Sequence, residues 1–141
     1  MHVHGIGKRW NAPMIDWNQM KENENLMSNG IQYIDSIITT INPNIFASIP
    51  ERHLCQKSSD EIVDDTQDYI ELINKLQRHT HCNTLYCLRV KQNGQTSCRF
   101  GYLKENNDHT FIHNDNHGQP ELVTARNDPY INPHNRLQLQ D

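Results

Sequence analysis

Two histidines and three cysteines fall close together in this chain: His79, His81, Cys82, Cys87 and Cys98. Nitrogen and sulfur donors grouped in this way point to zinc, which takes four tetrahedral ligands in structural sites. Taking His79, Cys82, Cys87 and Cys98 as ligands gives a His-x2-Cys-x4-Cys-x10-Cys spacing. The last cysteine must be returned to the others by a reversal of the chain, and the Asn93-Gly94 pair supplies one. His81 competes with His79 for the nitrogen position. The two residues between His79 and Cys82 let both side chains face one ion, whereas the adjacent His81-Cys82 pair would be cramped. The alternative is three reduced thiols packed as small hydrophobes, but the residues around them are polar and offer little core.

A second pair of donors stands at the start, in Met1-His2-Val3-His4-Gly5. In a strand, His2 and His4 point to one face and Val3 to the other. Two imidazoles on one face can hold a divalent cation with positions left open, although such a triplet on its own is common by chance. The following Gly5-Ile6-Gly7-Lys8-Arg9 is not a phosphate-binding loop. That motif needs a Gly where His2 stands and a Ser or Thr where Arg9 stands.

The elements that must position these groups read as follows. A helix is expected over residues 58–78, capped by Ser58 with Glu61 three residues on. Asp60, Glu61, Asp64 and Asp65 suit its positive end, and Lys75, Arg78 and His79 its negative end. Ile62, Tyr69, Leu72, Ile73 and Leu76 form its apolar stripe, and its end delivers His79 to the cluster. Met27, Ile31, Ile34, Ile38 and Ile41 recur at helical steps until Pro43, so a helix is expected there. The β-branched residues 37–41 also suit a strand. Cys55, in a loop, is read as a free thiol. His109, His113 and His117 are spaced by four, but Asn114-Asp115-Asn116-His117-Gly118 reads as a turn. A hairpin is therefore expected, with strands near 109–113 and 121–126, followed by a proline-punctuated tail.

Composition sets the limits. The chain has 141 residues, of which 35% are hydrophobic, and a mean hydropathy of −0.85, so any core is thin and a metal would help it hold. A net charge of −4 argues against a general electrostatic grip on nucleic acid. No apolar run is long enough for a membrane span, and no apolar secretory region is read, so a secreted chain is not expected. Clustered Cys and His then read as metal rather than disulfide, and the expected compartment is intracellular.

Three segments together resemble the Helitron transposon proteins, which are rolling-circle replication initiators of the HUH endonuclease superfamily fused to a helicase. His2-Val3-His4-Gly5 is similar to the family's metal-binding segment. His79-x2-Cys82, Cys87 and Cys98-Arg99-Phe100-Gly101-Tyr102-Leu103-Lys104 resembles its Cys/His insertion, which ends in Cys-Arg-Phe-Gly-Phe/Tyr-Pro-Lys. Arg126-Asn127-Asp128-Pro129 and Ile131-Asn132-Pro133-His134-Asn135 resemble the stretch that precedes the nucleophile region. Leu103 stands where the family has proline, so a looser turn is expected there.

The resemblance implies an α+β chain, an internal fragment of an HUH-type antiparallel-sheet domain. Residues 1–57 would be a partial HUH-like segment. Residues 58–104 would be a helix plus the Cys/His zinc module, and residues 105–141 a loop-rich hairpin and tail. The resemblance also implies structural zinc at the cluster, with magnesium or manganese at His2 and His4. In the intact family the reaction is nicking and joining of single-stranded DNA through a 5′-phosphotyrosine, coupled to an ATP-dependent helicase, in the nucleus. Tyr69, Tyr86, Tyr102 and Tyr130 do not match the family's Tyr-x-x-Lys-Tyr context, so the fragment is expected to be inactive alone and to bind single-stranded DNA weakly. The competing readings are a small zinc-stabilised module binding nucleic acid or protein, and a decayed copy without function.

Overall fold

Three helices of the chain begin at an Asx side chain that caps free backbone N–H groups, a role this residue class fills well. In a computed structural model that describes residues 12, 13, 15–49 and 51–140, Asp16 caps α1 (Trp17–Met20), Asn23 caps α2 (Glu24–Asp35) and Asp64 caps α3 (Asp65–Leu76). Two hairpins follow. β1 (Leu88–Val90) pairs antiparallel with β2 (Thr96–Cys98), and β3 (Phe111–Asn114) with β4 (Pro120–Val123). A short α4 (Arg136–Gln140) then packs on α3. The chain is α+β, with its strands in separate two-stranded sheets among the described residues. His2 and His4 lie outside those residues. No described helix is long and apolar enough to cross a membrane.

Two helix boundaries differ from expectation. Ser58 does not cap α3: its hydroxyl donates to the carboxylates of Asp60 and Glu61, and a single 3-10 turn, Ser59–Glu61, forms there. The chain then runs extended, with Val63 96% exposed, until the Asp64 carboxylate accepts from Thr66 N–H (2.8 Å) and Gln67 N–H (3.3 Å). Several acidic and hydroxyl residues compete for the cap here, and Asp64, whose carboxylate reaches two free N–H groups, takes it. Similarly, α2 stops at Asp35 rather than running on toward Pro43. Thr39 and Thr40 instead form bridges to His134 and Arg126, the extended alternative that the β-branched residues 37–41 allow. The second hairpin appears where expected, though its strands are shorter.

The apolar core is small: Tyr69, Ile73 and Ile131, with Leu139 packed against them. Beside it lies a buried polar network joining segments far apart in sequence. Asn42 Nδ2 donates to Asn74 Oδ1 and to Asp128 Oδ2, both at 3.1 Å, and its backbone N–H donates to Asn127 Oδ1 at 2.8 Å. Arg78 Nε sits 2.8 Å from Asp128 Oδ2; this is an ion pair without hydrogen-bond alignment, since the same nitrogen has no hydrogen-bond partner. Arg126, also buried, donates to the carbonyls of Ile131 (2.6 Å) and Asp128 (3.3 Å). Buried polar groups must be paired in this way or cost stability.

His134 ties the tail to this core. Its backbone exchanges hydrogen bonds with Thr39. Its Nδ1 lies 3.0 Å from the Asn132 carbonyl and its Nε2 lies 2.8 Å from the Tyr69 hydroxyl. A carbonyl only accepts, so Nδ1 carries the proton and Tyr69 donates to Nε2. Burial lowers the His134 pKa below its ordinary 6.5. The folded state therefore binds fewer protons than the unfolded one, and stability falls as the pH drops below about 6.5. Urea unfolding at about pH 7.5 and about pH 5.5 should show a lower midpoint at the acid value. The difference should shrink in His134→Gln, and an equal difference in both proteins would discount His134.

Candidate metal centre

His79, Cys82, Cys87 and Cys98 come together, each offering one ligand atom, with all four atoms within 4.8 Å of one another. His79 Nε2 lies 3.3 Å from Cys82 Sγ and 3.5 Å from Cys98 Sγ. In a tetrahedral zinc site with Zn–S near 2.3 Å and Zn–N near 2.0–2.1 Å, neighbouring donors stand roughly 3.6–3.8 Å apart. The donor types and their spacing fit that ion. His81, in contrast, is exposed, and its Nδ1 pairs with the Thr80 hydroxyl at 2.9 Å. The structure brings His79 to the cluster and not His81.

His79, Cys87 and Cys98 are each placed by a different device. α3 ends at Leu76, so it does not deliver His79 directly, as its expected extension to residue 78 would have done. Gln77 closes the helix, and the chain then pairs with the tail: Arg78 bridges Ile131, Asn132 N–H donates to the Gln77 carbonyl at 2.7 Å and His79 N–H to the Tyr130 carbonyl at 2.8 Å. The backbone of His79 is thus fixed by long-range pairing. A turn around Asn83 sets Cys87. The Asn83 carbonyl accepts from the N–H groups of Tyr86, Cys87 and Leu88, and its N–H donates to Cys87 Sγ at 3.2 Å. Cys98 returns through the β1–β2 hairpin, where Leu88 stands opposite Cys98. The hairpin turns at Gly94, whose φ of 80° suits glycine in a tight reversal. After Cys98 the chain turns again, with Gly101 at φ 69° and its N–H on the Cys98 carbonyl at 3.0 Å.

The sulfurs are electrostatically unequal. Cys82 is exposed as a residue, but its sulfur faces the other two. Lost hydration, with hydrogen bonding and repulsion from Cys87 and Cys98, pushes its thiol up to about 11. At Cys98 lost hydration also raises the pKa, but the N–H groups of Tyr102 and Phe100, with the neighbouring thiols, bring it below its ordinary value. Thiols crowded in this way resist losing all their protons together. A cation supplies the charge that lets them do so, which is how metal binding and thiol ionisation are linked.

Sequence reasoning did not identify the support for His79. Its ring stacks on Tyr102, with centroids 4.6 Å apart and planes at 29°, and meets Phe100 edge-on at 6.1 Å. The Tyr102 hydroxyl donates to Asn132 Oδ1 and to the Ile131 carbonyl. The available signal was the pair of aromatics just after Cys98, a position that a turn folds back over the cluster. Comparisons with protein-family models, with characterised proteins and with solved structures found no match. The likeness of this chain to any family therefore rests on its sequence motifs, and the four converging donors are a possible metal-binding cluster.

Proposed function

We propose that His79, Cys82, Cys87 and Cys98 hold a structural zinc ion, and that the chain is part of a Helitron-type replication-initiator protein. The observation that carries the zinc reading is the convergence of four N/S donors from a turn, a hairpin and a tail-paired segment. Structural zinc sites use four protein ligands and leave no position open for a substrate, so the centre orders the chain rather than performing chemistry. The family reading rests on the Cys98-Arg99-Phe100-Gly101 and Asn132-Pro133-His134-Asn135 runs flanking that centre. Metal analysis of the wild type, Cys82→Ser and Cys98→Ser tests it. About one zinc per chain is expected in the wild type and little in the variants. Equal content in all three, or none in any, sinks the assignment.

The DNA reading has its own support. Residues 72–104 contain no Asp or Glu, although the whole chain is acidic. Arg78 is held by Asp128, but Arg89, Lys91, Arg99 and Lys104 are exposed. Tyr86 and Phe100 are 69% and 47% exposed, and the Arg99 guanidinium lies 4.5 Å from the Phe100 ring centroid. Exposed aromatics beside cations suit stacked bases and a phosphate backbone. With so few free cations, the expected affinity for single-stranded DNA is about 10⁻⁴ M, falling as salt rises. Anisotropy titrations of wild type and of Arg99→Glu, Lys104→Glu measure it, and binding that ignores both salt and charge reversal would contradict this face.

No nicking is expected from this chain. The hydroxyls of Tyr69 and Tyr102 are both engaged, so neither is poised to attack a phosphate. Incubation with manganese and single-stranded oligonucleotides should give no covalent adduct. An adduct lost in a His2→Ala, His4→Ala double variant would overturn this.

A further inference from the structure

The three sulfurs of the cluster are unequally protected. Cys87 is 1% exposed, and its Sγ is held by Asn83 N–H at 3.2 Å. Cys82 is exposed, in a stretch outside any helix or strand, and Cys98 is half-buried at the end of β2. With a zinc ion holding all three sulfurs as thiolates, accessibility decides among them, and an oxidant arriving from solvent meets Cys82 first. Once Cys82 is oxidised, a second sulfur lies close by, because all the ligand atoms fall within 4.8 Å of one another. Bond formation then requires the sulfurs to close to about 2.05 Å, and Cys82 sits on the irregular segment that can make that movement. Of the two possible partners, Cys87 is buried and tied into the Asn83 turn. Cys98, although it accepts from the N–H groups of Phe100 and Tyr102, is the more accessible.

We propose that the centre is a redox-sensitive one, in which hydrogen peroxide joins Cys82 to Cys98 and expels the metal. This rests on the zinc reading above. In the first step the Cys82 thiolate attacks one peroxide oxygen, the O–O bond breaks, and the departing hydroxide takes a proton to become water. Cys82 is then a sulfenic acid. In the second step the Cys98 thiolate attacks the Cys82 sulfur, the S–S bond forms and the S–O bond breaks. That hydroxide also takes a proton. Two thiolates have been oxidised by two electrons and one peroxide has been reduced to two waters.

Only His79 and Cys87 then remain as donors, too few for a closed structural site. The disulfide spans two of the segments that the metal joined, so the β1–β2 hairpin stays stapled. The contact that loses its anchor is His79, and with it the pairing of residues 77–79 against the tail. A disulfide at an exposed cysteine is open to thiol attack, so the change is reversible.

The test uses the zinc-loaded full chain, treated with hydrogen peroxide and followed with a zinc-responsive dye and by peptide mapping. Full loss of bound zinc is expected, together with a cross-linked peptide joining Cys82 to Cys98. Dithiothreitol and added zinc should restore the starting state. Zinc retained through peroxide treatment overturns the inference and leaves the zinc reading standing. Zinc released with Cys82 linked to Cys87, or with sulfonic acids and no cross-link, overturns the pairing. A chain that holds no zinc before peroxide is added fails the zinc reading itself, and this inference with it.

Discussion

Stripping the metal with a chelator should lower the thermal midpoint of this chain by about 10 °C or more, a loss of roughly 3 kcal/mol or above for a domain of this size. Binding of structural zinc is worth about 10–16 kcal/mol in small peptides, and in a site that does not exist in the unfolded chain that energy is folding energy. The apolar centre here has little to set against its loss: Tyr69, Ile73 and Ile131 are its buried members. The cluster also sits where the tail-paired residues 77–79, the Asn83 turn and the β1–β2 hairpin meet. Without an ion, crowded thiols and one imidazole remain. Calorimetry with and without chelator reads the shift, and an unchanged midpoint in a chain shown to have lost its zinc would make the cluster peripheral.

The second large effect is expected at Asp128. It is 1% exposed, pairs with Arg78 at 2.8 Å, and accepts from Asn42 Nδ2 at 3.1 Å and from Tyr130 N–H at 3.0 Å. Asp128→Ala leaves the Arg78 guanidinium without its counter-charge, and the buried Asn42 amide and the half-buried Tyr130 N–H each without an acceptor. Removing one partner of a buried ion pair costs about 3–5 kcal/mol. Asp128→Asn keeps the shape and one acceptor oxygen, so it should cost less. Urea unfolding of the two variants checks the order. A loss under about 1 kcal/mol in Asp128→Ala would mean that water replaces the carboxylate at no great penalty.

How much of this was legible in the sequence depended on how local the cause was. The ligand set is encoded by short-range turns: Asn93-Gly94 folds the hairpin, and Gly101 turns the chain after Cys98. The second hairpin was legible for the same reason. Helix ends were less so, because Ser58, Asp60, Asp64 and Asp65 all resemble caps, and the choice among them was made by where Tyr69 and Ile73 had to pack. Residues 37–41 satisfied both helical spacing and strand propensity, and partners near residues 126 and 134 decided the matter. The polar network was invisible. Asn42, Asn74, Asn127 and Asp128 read as loop composition, and nothing in hydrophobic periodicity reports a bond between residues 42 and 128. The placement of His79 was legible as spacing, but its support by Tyr130 and Tyr102 was not, since both contacts depend on the returning tail.

Cobalt substitution tests most directly whether His79, Cys82, Cys87 and Cys98 form one tetrahedral site. Titrating the metal-free, reduced chain with cobalt(II) should give the intense visible bands of a tetrahedral ion, with a near-ultraviolet thiolate charge-transfer band, saturating at about one equivalent. The spectrum should survive in His81→Ala and weaken sharply in His79→Ala and Cys98→Ser. A pale octahedral spectrum in the wild type, or tetrahedral bands that persist in Cys98→Ser and vanish in His81→Ala, would contradict the assignment.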